Sequence, residues 1–322
     1  MTNLIPKILT TSLLVAVSAA PGYSQQAYPS ARINMVVGFA PGGFADTLAR
    51  VVAERMGREL KQIITVENRD GAGGNIAAAA IAGLPGDGYS VLVTTTSIAI
   101  SQAAYSKLGY SLNELKPVAI PASSPEMIAV PAASPIKSLS DLVTLAKSSN
   151  GATFSTAGVG SGSQLAAQYF FKHHAGADIT HVPFRGGALA IQAAIGNQVD
   201  MVAASFGIAP QVQQGALRGL AVANSTRIEA APNVPTYAEL GFGDYQAASW
   251  VAFLVPASTP KPVIDKLNQE INKAISDPDV LKRLTAQGYV LQPRNTAEVE
   301  RYFAAEIDEW GTRVKTLGVK IE

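Results

Sequence analysis

The chain has 322 residues, 25 Lys plus Arg against 24 Asp plus Glu, a formal net charge of +1 and no cysteine. That balance, without a basic run or basic residues interleaved with aromatics, argues against a phosphate-backbone partner. The absence of thiols excludes disulfides, thiolate nucleophiles and cysteine-ligated metals. The length suffices for one large or two medium domains, and beyond the N-terminus no apolar run reaches the roughly 18 residues of a spanning helix.

At the N-terminus, Lys7 precedes an apolar segment from Ile8 to Ala20, and Ser24 to Ala27 lead into Tyr28-Pro29. A short charged region, an apolar region of this length and a small-residue region read as a secretory signal peptide over residues 1–27, cleaved between Ala20 and Ala27. The mature protein is therefore expected to be exported.

Ile33 to Phe39 is a β-branched, apolar run that reads as a buried strand. Pro41-Gly42-Gly43 reads as a tight turn, and Leu48, Val52, Met56 and Leu60 recur four apart as one helical face. A helix start after such a turn directs free N–H groups, with their partial positive charge, above the carboxyl end of the strand, where an anion can be held without a cationic side chain. Strands follow over Ile63–Glu67 and Tyr89–Thr94, alternating with helices from the Asn68–Asn75 loop to about Leu84 and over Ile98–Tyr105. This alternation implies a parallel sheet with crossover helices. Ligands bind such sheets at the carboxyl ends of the strands, which nominates Ala40 to Asp46, Asn68 to Asn75 and Thr94 to Ser97.

Val118 to Val130 is extended and punctuated by proline, and reads as a strand leaving one domain for another. Ser138 then caps a helix to Lys147, with Asp141 in its first turn. A second series follows: strands at Thr153–Thr156, Thr180–Phe184, Asp200–Ala204 and Leu217–Ala223, with helices at Gln164–His174 and Ala188–Ile195. Tyr245 to Val255 is the return crossing, and amphipathic helices over Val263–Ser276 and Ala297–Leu317 pack back on the first domain. The expected architecture is α/β with two lobes, each a mainly parallel sheet flanked by helices, joined by two hinge crossings. Residues 28–123 plus 246–322 form the first lobe and 124–245 the second.

Gly158 to Gln164, immediately before a helix, makes a second nest of hydroxyls and free N–H groups facing the first. It is not a Walker loop, because no Gly-Lys-Ser/Thr follows; Ser163 stands where a dinucleotide fingerprint needs its third glycine, and Val159 breaks a G-x-S-x-G elbow. His173, His174 and His181 form no metal-ligand spacing and have no paired carboxylate, so neither a metal site nor a cofactor is expected. Arg185 either pairs with a substrate carboxylate or is a solvated loop residue. Asp46 either bonds a ligand amine or satisfies the first turn of its own helix.

Together F-A-P-G-G-F-A-D-T-L-A-R (Phe39 to Arg50), V-E-N-R-D-G-A-G-G-N-I (Val66 to Ile76), S-T-A-G-V-G-S-G-S (Ser155 to Ser163), H-V-P-F-R-G-G-A (His181 to Ala188) and G-N-Q-V-D (Gly196 to Asp200) resemble the Bug-type extracytoplasmic solute receptors. These are the substrate-binding proteins associated with tripartite tricarboxylate transporters. The resemblance covers the whole mature chain. It implies a periplasmic two-lobe flytrap, not an enzyme, that binds a small carboxylated molecule and delivers it to membrane transporter subunits, working as a monomer. It carries binding roles onto Phe39, Ala40, Gly42, Gly43 and Asp46 in the first lobe and Gly160, Ser161 and Ser163 in the second. Thr94, Ser97, Ala204 and Ser205 are expected to line the far end of the cleft, with Arg185 beside it. Two positions depart from the commonest family pattern: Gln164 stands where many relatives have His, and Ala204 where many have Asp. The missing acid favours a carboxylate without an amino group. A ligand-sensing receptor subunit for a membrane partner is the alternative, and a hydrolase using Ser161 or Ser163 a more distant one.

Overall fold

The structure, a computed structural model, describes residues 28–149 and 151–321. The expected signal peptide at 1–27 lies outside the described residues. In chain order the first part builds β1 (Ile33–Val37), α1 (Phe44–Leu60), β2 (Ile64–Asn68), α2 (Asn75–Ala82), β3 (Ser90–Thr95) and α3 (Ser97–Ala104). β4 (Leu115–Pro125) then runs almost directly into β5 (Met127–Pro131), followed by α4 (Leu139–Lys147), β6 (Thr153–Thr156), α5 (Gly162–Tyr169), β7 (Thr180–Pro183), α6 (Gly187–Ile195), β8 (Met201–Ala204), α7 (Ile208–Gln213) and β9 (Leu217–Val222). β10 (Ala248–Pro256), α8 (Lys261–Ile275), α9 (Pro278–Thr285), β11 (Val290–Leu291) and α10 (Thr296–Leu317) complete the described elements.

Two sheets result, with strand orders β11-β4-β10-β3-β1-β2 and β7-β6-β8-β5-β9. β1 lies parallel to β2 and β3, and β6 parallel to β7 and β8. The crossing strands differ: β10 is antiparallel to β3 and β4, and β5 to β8 and β9. Each sheet is therefore mixed, where the alternation of elements predicts a mainly parallel one. The reason is that the chain crosses between sheets and returns in the opposite direction, without a crossover helix to reset it.

β1 is apolar apart from Asn34 because both its faces are largely covered. Ile33, Met35 and Val37 pack with Leu48, Val52 and Met56 of α1, the helical face read from the sequence. Val36 points the other way, into a cluster with Ile81, Leu92 and Trp250. α10 closes that cluster with Val299, Phe303, Trp310 and Val314, so the C-terminal helix does return to the first lobe. The Glu306 carboxylate accepts the indole N–H of both Trp250 (2.7 Å) and Trp310 (3.0 Å), giving these buried donors partners and pinning α10 to β10. In the second lobe, Ser138 is the expected N-cap of α4, and with Asp141 it forms a capping box.

Candidate functional site

The carboxyl ends of the parallel strands in the two lobes meet. Phe44, the first residue of α1, lies with its ring 5.7 Å from that of Phe206, which follows β8, and both rings pack on Tyr289 at 4.9 and 5.1 Å. Ser124, near the end of β4, donates to the carbonyl of Ser205 (2.9 Å) and to that of Gly288 (2.8 Å), tying the turn after β8 to the first lobe. At the start of α5, a Cβ on Gly162 would stand 2.7 Å from Ser249 Oγ and 2.9 Å from Thr96 Oγ1, so only glycine permits this approach of helix to hinge. Ile321 reaches the same region, its Cδ1 3.1 Å from where a Cβ on Gly160 would be.

The turn before α1 is held from within. Asp46, 2% exposed, accepts from the Gly42 N–H (2.8 Å) and Arg50 Nε (2.9 Å) through one oxygen, and from Asn68 Nδ2 (2.8 Å) through the other. Asn68 also donates to the Phe39 carbonyl at 2.9 Å and accepts from Arg50. Burial pushes the Asp46 carboxyl up, but the hydrogen bonds from Arg50, Gly42 and Asn68 outweigh it and hold the group below its ordinary value. Of the two roles open to Asp46, the structure supports the internal one: its carboxylate organises the loop. Gly43 offers no side-chain cap to α1, so among the described residues no N-cap side chain covers the N–H groups that open this 17-residue helix. Gly42 itself sits at φ +78° with open space around it.

The second loop is also organised by its own side chains. Ser161 is the N-cap of α5, accepting from Gln164 N–H at 3.3 Å, and the Gln164 side chain accepts from Gly160 N–H at 2.7 Å. Gln164 is thus an internal brace of the loop. Ser163 is buried and donates to Glu126 at 2.6 Å, away from the loop surface. Ser161 Oγ donates to Thr156 Oγ1 (3.3 Å), which lies 2.7 Å from His181 Nε2. A threonine therefore stands between this serine and the nearest histidine, and among the described residues no carboxylate is bonded to that ring. Burial lowers the His181 pKa to about 4, so the ring is neutral near pH 7. This geometry does not assemble a nucleophile, base and orienting acid.

The predicted site residues fall into two groups. Ala40, Gly42 and Arg185 are exposed, and Phe39, Gly43 and Ser161 half-buried, all on loops at the carboxyl ends of strands. Asp46, Thr94, Ser97, Gly160, Ser163, Gln164, Ala204 and Ser205 are buried. Ala204 points into the apolar core of the second lobe, Ser97 Oγ accepts from Thr95 Oγ1, and Ser205 contributes its carbonyl to Ser124. The cations near the first loop are spoken for, Arg50 by Asp46 and Arg69 by Glu67, whereas Arg185 forms no ion pair among the described residues. Glu126, Phe206, Tyr289 and Ile321 are not foreseen from sequence. Glu126 alone left a signal, as the one charged residue between Val118 and Val130.

Residues 48–319 match the family described as "Tripartite tricarboxylate transporter family receptor". The chain is 32% identical over 330 residues to Protein BugT of Bordetella pertussis, covering 100% of this chain and 99% of that protein. Its fold is similar to an R. palustris protein solved with adipate, with TM-score 0.85, 29% identity, and 91% of this chain and 99% of the other covered. It is similar also to MatC from Rhodopseudomonas palustris solved with bound malate, with TM-score 0.82, 31% identity, and 89% and 100% coverage.

Proposed function

The chain belongs to the tripartite tricarboxylate transporter receptor family, and from that premise we propose that it is a non-enzymatic receptor that closes two lobes over a small carboxylate. The observation that carries this reading is the start of α1: a helix of 17 residues with no side-chain cap, bordered by a residue of the opposite lobe, Phe206. Backbone N–H groups at such a terminus bind carboxylate oxygens without a cation, provided water is excluded, and closure of the second lobe excludes it. Malate and adipate, bound by relatives of similar fold, belong to this chemical class.

In this reading Phe39, Ala40, Gly42, Gly43 and Ser161 face the ligand, Arg185 flanks the opening, and Asp46, Gln164 and Ser163 hold the loops in shape. Thr94, Ser97, Gly160, Ala204 and Ser205 form the layer beneath. The lobe divisions expected at 123/124 and 245/246 fall within about two residues of where β4 ends (Pro125) and β10 begins (Ala248), and residues 1–27 are removed on export to the periplasm. The monomer then presents its ligand to membrane transporter subunits. With Asp46 turned inward onto Gly42 and Arg50, the first loop offers no free acid to a ligand ammonium, so the site selects carboxylates without an amino group. A thermal-shift screen of protein stripped of ligand by unfolding and refolding tests this. Stabilisation by dicarboxylates such as malate or adipate is expected; stabilisation by aspartate or glutamate alone, or by sugars alone, overturns it.

A further inference from the structure

Glu126 lies between β4 and β5, at the residue where the chain leaves one sheet for the other. It is 4% exposed. One carboxyl oxygen accepts from Ser163 at the start of α5 in the second lobe, and the other from Ser249 on β10 in the first, both at 2.6 Å. Its backbone is fixed to the return crossing by Glu126 N–H donating to Ala247 O (2.9 Å), and to the residue after β9 by Glu126 O accepting from Ala223 N–H (2.8 Å). The side chain thus joins both lobes at the point where both crossings pass.

The groups facing it do not neutralise it. The charge of Arg313 on α10 bears on it, but that guanidinium bonds Glu309 and the Gln246 carbonyl and lies over the rings of Tyr169, Tyr245 and Trp310. Tyr237 and Tyr245 are buried beside it and stay protonated, and the Tyr245 hydroxyl donates to Ala166 O. Thr96 Oγ1 lies 3.5 Å from Ser249 Oγ and offers only a weak further contact. Desolvation outweighs the two serine bonds and pushes the Glu126 carboxyl up to about 7.

Resting on the closing-lobe reading, we infer that Glu126 is a positioning residue for ligand capture: bonded to Ser163 and Ser249 at once, it holds the start of α5 against the first lobe and takes up a proton from solvent as the lobes close. The protonated carboxyl donates through one oxygen and accepts through the other, so both links persist. When the lobes part, water reaches the group and its ordinary acidity returns. The sign follows from linkage. Closure is favoured fully below the ordinary glutamate range and loses this support as pH rises through about 7. Between pH 6 and pH 8 this amounts to about a tenfold change in the closed-to-open ratio.

Small-angle X-ray scattering of the ligand-free chain at pH 6 and pH 8 tests the device without needing the ligand. The wild type should be more compact at pH 6, Glu126→Gln equally compact at both, and Ser163→Ala more open at both. A wild type with no pH response, or a Glu126→Gln protein that retains the wild-type response, overturns the inference. Should Glu126→Gln not fold, Ser163→Ala decides: a variant as compact as the wild type at both pH values overturns it. Calorimetric titration with malate and adipate should give affinities about tenfold tighter at pH 6 than at pH 8 in the wild type and a ratio near one in Glu126→Gln. If neither acid binds, the carboxylate reading fails on its own, while the scattering result still decides the role of Glu126.

Discussion

Phe44 of the first lobe and Phe206 of the second touch across the junction, 5.7 Å between ring centroids, with Tyr289 stacked behind them and its hydroxyl donating to the Phe44 carbonyl at 2.6 Å. The residue that opens the uncapped helix is therefore gripped from both lobes. Replacing Phe206 with Ala removes the second lobe's side of that grip. Ligand affinity should fall roughly tenfold, with a small loss of thermal stability because the ring is only half-buried. Calorimetric titration beside a melting curve separates the two effects.

Gly42 offers a cleaner separation of binding from folding. At φ +78° a side chain strains the backbone by about 1 kcal/mol, yet a Cβ there meets nothing within 4 Å. Gly42→Val should fold with a modestly lowered melting temperature while, in the proposed site, ligand affinity drops at least tenfold because the added methyls take the place of the ligand. Unchanged affinity would return this turn to a packing role.

Asp46 predicts an acid-sensitive loop. Its carboxyl is held below the ordinary value by the hydrogen bonds that oppose its burial, so its contribution is present above the ordinary aspartate range and is lost as pH falls through the depressed value. Asp46→Asn keeps the shape but loses the charge-assisted bonds to Arg50 and Gly42. Half of the Arg50 side chain is in solvent, so the loss should lie near the low end of about 1–3 kcal/mol in denaturant unfolding. Its effect on affinity should exceed that on stability, since the residue shapes the turn that carries the N–H groups.

His181 gives the opposite handle on pH. Half-buried and bonded to Thr156, it has a pKa lowered to about 4 by desolvation, against 6.5 when free. The stability it supports is present above pH 6.5 and is lost as pH falls toward 4, because the unfolded chain binds the proton more readily. Denaturant unfolding at pH 7, 5.5 and 4.5 should show a decline over that interval that is reduced in His181→Gln. An identical decline in both proteins would assign the acid sensitivity elsewhere.

Much of this molecule is legible from sequence because β1 and its turn, α1, and the caps of α4 and α5 are local features, set by periodicity and by side chains within a few residues. The two crossings are legible too, as long extended runs ending at proline. The fine assignment of the site is not. Asp46 and Gln164 look like residues that could touch a ligand, and only the folded loop turns them inward onto Gly42 and Gly160. Glu126 needs partners 37 and 123 residues away, and Phe206 needs Phe44, so their roles exist only once both lobes are in place.

The strand order carries a consequence for the birth of the protein. β10 lies between β3 and β4 at the centre of the first sheet, so until residue 256 has been synthesised those two strands each present an open edge. The second sheet, by contrast, draws all its strands from Met127 to Val222 and can pair completely beforehand. During that interval the nascent chain holds a finished half beside an unfinished one whose exposed edges invite pairing with another chain. In cell-free synthesis without export, slowing translation between β9 and β10 should therefore raise aggregation more than slowing it after β11, when every strand of both sheets is present.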